Sequence, residues 1–282
     1  MQVLLFILTL IFTVTQSAST KLYHKTGESA ITFNAIKGLF AFIPMLIIAF
    51  FGFSFHLPTI LYALVYGGLM CVSMMSGYYA LKSGPMALTS MLVSFSIAIP
   101  ITYGLCVGET LSAPKIIGLC TLVVAIVAIN LNKKNGEGKV FYAKWILFVV
   151  LTFVSNGVMS VVQKVHQTQF PSLYVSEFMT VGMLVCALFF VGLALCKVKP
   201  KQIMQSKGKI FGVIAGVCVA VSNFCTTALV GMENASALFP AITAGTLVLN
   251  LVCGLVIFKE KLKINHYIAV VLGIVAVVLL KI

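Results

Sequence analysis

The stretch from Ala228 to Leu262 is ALVGMENASALFPAITAGTLVLNLVCGLVIFKEKL, and a related stretch from Ala80 to Leu111 is ALKSGPMALTSMLVSFSIAIPITYGLCVGETL. Each copy begins with Ala-Leu, passes through a short turn, continues as a long apolar segment and ends in Glu-x-Leu. A sequence element that recurs constrains the architecture of the whole chain, because the two copies occupy equivalent places in repeated units. The chain is therefore expected to contain two related halves.

The composition indicates a membrane protein. The chain has 282 residues, of which 61% are hydrophobic and 9% charged, whereas soluble domains carry roughly 25% charged residues. Apolar runs of about 20 residues are long enough to cross a bilayer as helices, and a helix satisfies its own backbone in lipid. We predict an all-α integral membrane protein whose first apolar run is a span and not a signal peptide, with ten spans at 2–20, 30–52, 58–81, 85–107, 113–131, 140–162, 172–196, 208–230, 234–258 and 264–281.

A polar linker at 132–139 divides these spans five and five, which predicts repeats at 1–131 and 140–282. At a fixed offset of 143 residues the halves share several residues: Leu4/Leu147, Leu8/Leu151, Thr9/Thr152, Ser17/Ser160 and Lys21/Lys164. An odd number of spans per unit makes the second unit enter the membrane from the opposite face. Two inverted five-helix repeats are a recurrent plan among secondary transporters, with the substrate site between them.

Charged and metal-binding residue types argue against several other classes of protein. All 19 basic residues are Lys and all six acidic residues are Glu. Most lysines fall between apolar spans, where they set topology and meet lipid headgroups, so we expect no nucleic-acid partner. The eight cysteines show no Cys-x-x-Cys spacing and are expected to pack as small apolar residues. The four histidines (24, 56, 166 and 266) are expected at interfaces in connections, and no metal or cofactor is predicted.

Several short motifs lie near the ends of the spans, and those at the first span and at the Glu-x-Leu signature recur in both halves. They are Thr13–Ser17 leading to Lys21, Ser155–Gly157 leading to Lys164, Lys37 near the start of span 2, Tyr78-Tyr79-Ala80-Leu81, Gly108-Glu109-Thr110-Leu111, and Lys259-Glu260-Lys261-Leu262. With these motifs the chain resembles the EamA-like family of the drug/metabolite transporter superfamily over nearly its whole length. The resemblance implies a ten-span carrier that moves small solutes by alternating access, and it names no solute.

Polar side chains within the spans are the candidates for a substrate cavity, because such groups are costly in lipid and usually face a bundle interior. The candidates are Gln16, Ser17, Asn34, Lys37, Tyr78, Tyr79, Asn156, Glu177, Asn223 and Asn250. Lys37 and Glu177 stand out, because each is the only charged residue well inside its apolar segment. A buried carboxylate favours its protonated form, which makes Glu177 a hypothetical proton or cation site. The alternative is that both residues extend to the headgroups.

Other motif residues are expected to be structural. Lys21, Lys164, Glu109 and Glu260 recur at the ends of corresponding spans, where charged groups interact with helix termini and headgroups. Gly212, Gly216 and Ala220 are spaced four apart, which predicts close contact between helices. Topology remains open, because the family resemblance places both termini inside the cell and the distribution of lysines places them outside.

The leading functional hypothesis is a multi-pass plasma-membrane carrier that exports a small metabolite or drug, with a coupling ion such as H⁺. A translocator of lipid-linked or amphipathic cargo is the alternative within the same class. A non-transporting membrane subunit and an intramembrane enzyme are alternatives of another class. An enzyme is disfavoured because the sequence has no Asp and no His-Glu-x-x-His motif. The sequence does not predict the oligomeric state.

Overall fold

The computed structural model describes residues 2–107, 139–198, 206–232, 235–259 and 264–279, and a few positions between 113 and 124. Within these ranges the regular structure is helical and forms nine segments. One segment joins two helices through a 3₁₀ turn at Phe95–Ile97. The helices are α1 (Gln2–His24), α2 (Ala30–Phe50), α3 (Leu57–Ser83), α4 (Met86–Ser94), α5 (Ala98–Cys106), α6 (Lys139–Gln169), α7 (Val175–Lys197), α8 (Lys209–Met232), α9 (Ala235–Val256) and α10 (Ile264–Leu279).

The helices agree with nine of the ten predicted spans, and the fifth span, 113–131, lies largely outside the described residues. Six helices are long and apolar enough to cross a membrane: α1, α2, α3, α7, α8 and Ala143–Gln169 within α6. The protein is therefore a helical, multi-pass membrane protein. The ten-helix count and the inverted repeats remain predictions. The linker at 132–139 also falls almost entirely outside the described residues.

Local sequence signals set several helix boundaries. Gly27 has a φ of +73°, a conformation that glycine adopts without strain, and it ends the turn after α1. The Ser29 hydroxyl then accepts a hydrogen bond of 3.2 Å from the Ile31 N–H, which caps α2. Pro58 occupies the first turn of α3, where its missing N–H costs nothing. Pro85 precedes α4 and separates it from α3.

Glycines allow α2 to contact two helices at backbone distance. A Cβ placed on Gly216 of α8 would lie 2.5 Å from the Lys37 carbonyl oxygen, and one on Gly212 would lie 2.9 Å from an Ile36 methyl carbon. On the opposite side of α2, a Cβ on Gly38 would lie 3.3 Å from the Cys186 carbonyl oxygen of α7. The predicted close contact of the small-residue stripe on α8 is confirmed.

Contacts between the halves are reciprocal. Helix α1 packs on α8 and α3 packs on α6, so the first helix of each half contacts the third helix of the other. Likewise α2 packs on α8 and α3 on α7, while α2 packs on α7 and α4 on α9. Apolar side chains on outer faces, such as Val3, Ile7 and Ile11 of α1, are exposed. In a bilayer these faces meet lipid, whereas the inter-half contacts form the core of the bundle.

Replacing Gly216 with alanine should destabilise the protein, because the added methyl group must displace backbone atoms of α2. Overpacking of this kind costs about 1–3 kcal/mol. The matched control is Gly192→Ala on α7, where nothing lies within 4 Å of the new Cβ, and where the loss of a helical glycine should stabilise by about 0.5–1 kcal/mol. Thermal unfolding of the purified variants in detergent measures both, and equal melting temperatures would contradict the packing described here.

Candidate functional site

A cavity of about 320 Å³ lies between the two halves. Its wall is built from α1, α2, α3, α4 and the 3₁₀ turn on one side and from α6, α8 and α9 on the other. Most of the lining side chains carry a hydroxyl or an amide group, although the surrounding helices are strongly apolar. Because an apolar helix has no packing reason to bring so many polar groups together, the cavity is the candidate functional site.

Seven of the ten predicted cavity residues line this space. They are Gln16, Ser17, Lys37, Tyr78, Asn156, Asn223 and Asn250. Among the described residues that form the wall, Lys37 is the one with a charged side chain, and that side chain is only 4% exposed. Its ammonium nitrogen lies 6.0 Å from the centre of the Phe33 ring, within reach of a cation–π interaction.

The other three predicted residues lie outside the cavity wall. Asn34 is fully buried, and its amide nitrogen lies 3.6 Å from the Met75 sulfur. The Tyr79 ring stacks on Phe148 of α6 with ring centroids 5.0 Å apart, so it joins α3 to α6. The cavity prediction is therefore corrected for these two residues, since each packs between helices.

Glu177 is the largest departure from the sequence prediction. Helix α7 begins at Val175, so Glu177 lies in its first turn and not deep within the span. Its carboxylate accepts hydrogen bonds from the Ser54 N–H at 3.0 Å, the Ser54 hydroxyl at 2.9 Å and the Ser176 hydroxyl at 2.7 Å. A carboxylate at this position interacts favourably with the positive end of a helix, and it ties α7 to the segment before α3.

Helix α1 presents one polar face to the cavity. Thr13, Gln16, Ser17 and Thr20 follow the three- and four-residue spacing of a helix face, and all four line the wall. Thr13, Thr20 and many other hydroxyl residues of the wall were absent from the predicted set. Judged one at a time, a serine or threonine in an apolar helix resembles a packing residue. The spacing along α1 is the sequence signal that could have identified this face.

The hydroxyl groups of the wall are partly satisfied by their own helices. The hydroxyls of Ser17, Thr20, Ser160, Thr226 and Thr246 each donate to the carbonyl four residues earlier, at 2.8–3.2 Å. A hydroxyl that donates in this way keeps oxygen lone pairs that can accept. The wall therefore offers hydrogen-bond acceptors from hydroxyl oxygens as well as the donors of its amides and of Lys37.

Direct hydrogen bonds also cross the boundary between the halves. The Ser73 hydroxyl of α3 donates to the Asn156 side-chain oxygen of α6 at 2.6 Å, and the Thr152 hydroxyl donates to the Ser76 oxygen at 2.8 Å. The bond from Ser73 orients the side chain of Asn156, one of the predicted residues.

The motif residues predicted to be structural are found at helix ends where the structure describes them. The Lys21 ammonium donates to the Gly84 carbonyl at 2.9 Å and so holds the turn between α3 and α4. Lys164 is half-buried on α6 near its C-terminal end. Glu109 and Glu260 lie outside the described residues.

The prediction that the histidines occupy connections is confirmed for His56, which lies between α2 and α3, and is wrong for His166 and His266, which lie within helices. Helix α6 continues to Gln169, so His166 is helical, and it is fully buried. Its ring stacks on Phe178 at 4.6 Å, and its Nε2 lies 3.0 Å from the Thr59 hydroxyl. His24 ends α1 and His266 lies within α10. Across the described part of the chain no group of His, Cys and Glu is arranged to hold a metal ion.

Comparison with known proteins gives a family and a fold. The model of the EamA-like transporter family matches residues 143–282, which confirms the family resemblance. No curated protein matches the chain significantly. A solved crystal structure of a protein aligns with this chain with a TM-score of 0.65 and 14% identity, over 99% of this chain and 95% of its own. At that identity the match shows the fold alone.

A cysteine at position 160 should react with a membrane-impermeant thiol reagent, because Ser160 faces the cavity and a thiol ionises where water reaches it. The matched control is Val150→Cys on the same helix, at an outer, 48% exposed position that faces lipid. Both substitutions would be made in a variant without the eight native cysteines. Labelling measured by mass spectrometry should be several-fold faster at 160, and equal rates would show that water does not enter the cavity.

Proposed function

Because the chain belongs to the EamA-like transporter family, we propose that it is a secondary transporter that moves a small solute through the central cavity by alternating access. The observation that carries the proposal is the polar cavity between the two halves. Polar groups in a membrane interior are costly unless they contact one another, water or cargo. The proposed direction is export across the plasma membrane, with an ion such as H⁺ as the coupling partner.

Two inverted five-helix repeats, at 1–131 and 140–282, are part of this proposal. The sequence offset of 143 pairs Thr13, Gln16, Ser17 and Thr20 of α1 with Asn156, Met159, Ser160 and Gln163 of α6. All eight of these residues line the cavity. The same positions of the two helices therefore face the same space, which supports a two-fold relation between the halves together with the reciprocal helix contacts.

Alternating access needs separate contacts between the halves towards the two faces of the membrane, and two contacts at opposite ends of α2 are the candidates for them. We call the first the Glu28 latch. It joins Glu28, in the connection before α2, to Ser206 and Lys207, which precede α8. The Glu28 carboxylate accepts hydrogen bonds from the Ser206 hydroxyl and, at 2.7 Å, from the Lys207 N–H. The Tyr23 hydroxyl also donates to it at 2.9 Å.

The Glu177 latch is the counterpart and joins Glu177, at the start of α7, to Ser54, before α3. In both latches a carboxylate at the start of the second helix of one half binds a serine three residues before the third helix of the other. Glu28 precedes α2 and Ser54 follows it, so the latches lie at opposite ends of a 21-residue helix that is about 30 Å long. Opening either end of the cavity would require one latch to release.

The polar wall also bears on the alternative of an amphipathic cargo. An acyl chain needs a continuous apolar surface, whereas hydroxyl and amide groups from both halves interrupt this wall. The hydroxyl and amide groups therefore favour a small solute with polar groups over an acyl chain, and the apolar side chains between them can contact its carbon atoms.

Cross-linking either latch should stop transport. A short bis-methanethiosulfonate cross-linker between Glu28→Cys and Ser206→Cys, or between Glu177→Cys and Ser54→Cys, would hold one latch closed, since the native side chains are in hydrogen-bond contact and the linker replaces the reach of the lost glutamate. These variants would again be made in a protein without the native cysteines.

The solute would be identified by comparing metabolite pools of cells with and without the protein, and its flux would then be measured in liposomes.

The controls are the four single-cysteine variants, and a reductant should restore flux in the cross-linked proteins. Undiminished flux through a protein that is fully cross-linked at one latch would argue against alternating access at these contacts. A purified protein that moves none of the solutes found in the metabolite comparison would argue against transport by this chain alone.

The Glu28 latch should persist at neutral and mildly acidic pH. Partial burial opposes ionisation of Glu28, but hydrogen bonds from Ser206, Lys207 and Tyr23 outweigh it and hold the pKa below its usual 4.5. A lowered pKa contributes stability that is present above 4.5 and is lost as the pH falls through the folded-state value. The difference in melting temperature between wild type and Glu28→Gln should be constant above pH 4.5 and shrink below it. A difference that vanished near neutral pH would contradict this assignment.

A further inference from the structure

We propose that the transported solute is a small hydrophilic anion and that Lys37 binds its negative group. This inference rests on the proposed function, because it names the chemical class of cargo for the same cavity. It is carried by the burial of Lys37, by the engagement of the described carboxylates elsewhere, and by the hydrogen-bonding character of the wall.

Lys37 is a buried cation within the described bundle. Its side chain is 4% exposed and lines the cavity. The groups that interact electrostatically with its ammonium group are the thiols of Cys186 and Cys218 and the ring of Phe33. A buried ammonium group is strongly unfavourable unless an anion or several acceptors compensate for lost hydration. A position that keeps such a group beside a cavity is a functional position by default.

The carboxylates of the described chain do not supply the counter-ion. Glu28 accepts hydrogen bonds in one latch and Glu177 in the other, at opposite ends of α2. Within the cavity wall, as far as the structure describes it, the remaining polar side chains are hydroxyls and amides. The negative charge that balances Lys37 is therefore expected from the cargo.

The backbone of α2 at Lys37 is closely packed against the neighbouring helices. A Cβ on Gly216 would collide with the Lys37 carbonyl, and a Cβ on the next residue of α2, Gly38, would lie 3.4 Å from the Ala187 Cα of α7. Because its backbone is fixed against α7 and α8, the ammonium group is presented to the cavity from a rigid scaffold. Such fixed placement of a charged group is what selective binding requires.

The rest of the wall narrows the class of anion. Hydroxyl oxygens that already donate to their own helices offer lone pairs to the cavity, so a cargo with hydroxyl or ammonium donors would be satisfied there. The volume of about 320 Å³ lies at the low end for ligand sites, which span roughly 300–1,000 Å³. The inferred class is a small carboxylate or phosphate ester that also carries hydroxyl or amino groups.

The test uses matched compounds that differ in charge and resemble one another in shape. The pairs are L-glutamate with L-glutamine, gluconate with glucose, and glycerol 3-phosphate with glycerol, and putrescine serves as a cation. Thermal stabilisation of the purified wild-type protein by each compound is measured first, which needs no variant. Counterflow in phosphatidylcholine liposomes follows, because a zwitterionic surface does not bias the local concentration of anions.

Three substitutions accompany the wild type. Lys37→Met puts an unbranched, uncharged side chain, one heavy atom shorter, in place of the lysine, and Lys37→Arg keeps the charge. Lys144→Met is the matched control, because it removes a lysine charge at an exposed position on α6. We expect Lys37→Met to weaken anion binding by roughly 30-fold or more, as truncating one partner of a buried charge pair does. Its melting temperature should equal or exceed that of wild type, because an uncompensated buried charge has been removed.

The expected result is that at least one anion stabilises wild type and is transported in preference to its neutral partner. Lys37→Arg and Lys144→Met should keep that preference, and Lys37→Met should lose it. Equal or greater transport of the neutral or cationic compounds would overturn the inference while leaving the transport function intact. Anion preference that survives in Lys37→Met would do the same. If wild type neither binds nor moves any of the anions but moves a neutral or cationic solute found in the metabolite comparison, the inference fails and the transport function stands. If it moves none of the solutes found there, both fail.

Discussion

Hydroxyl side chains in this bundle donate to the backbone of their own helices, and the rest of the structure depends on that arrangement. In lipid, every polar group needs a partner within the protein. The donation from each hydroxyl to the carbonyl four residues earlier meets this need for one hydrogen. It lets serines and threonines occupy apolar helices at low cost and leaves their oxygens available at a shared surface. The central cavity is where those surfaces meet.

Much of the fold follows from the composition and the lengths of the apolar runs. Nine predicted spans have a helix, since a run of about 20 apolar residues has few alternatives in a bilayer. The boundaries were less predictable. Helix α6 extends to Gln169, past the predicted end at 162, because His166 is buried against Thr59 of α3 and Phe178 of α7 and continues the packed face of the helix.

The candidate site was predictable where a polar side chain lay in the middle of a span and less so elsewhere. Lys37, Asn156 and Asn250 line the cavity as expected. Glu177 was misplaced because its depth depends on where α7 begins, and no residue before Val175 provides a clear cap. Asn34 lies on the same helix as Lys37, but its side chain contacts Met75. Which of two residues one turn apart lines the cavity depends on the neighbouring helices, which the sequence of α2 alone does not place.

The backbone contact between α2 and α7 has a further consequence for motion. Gly38 lies near the middle of α2 and approaches Cys186, which lies near the middle of α7. Contacts close to the midpoints of two crossing helices define a pivot. A small rotation about that point separates the helices at one end of the bundle by the amount that it closes them at the other. In the proposed transport cycle, a rotation of this kind would open one face of the membrane as it closed the other, without a signal passed through the cavity.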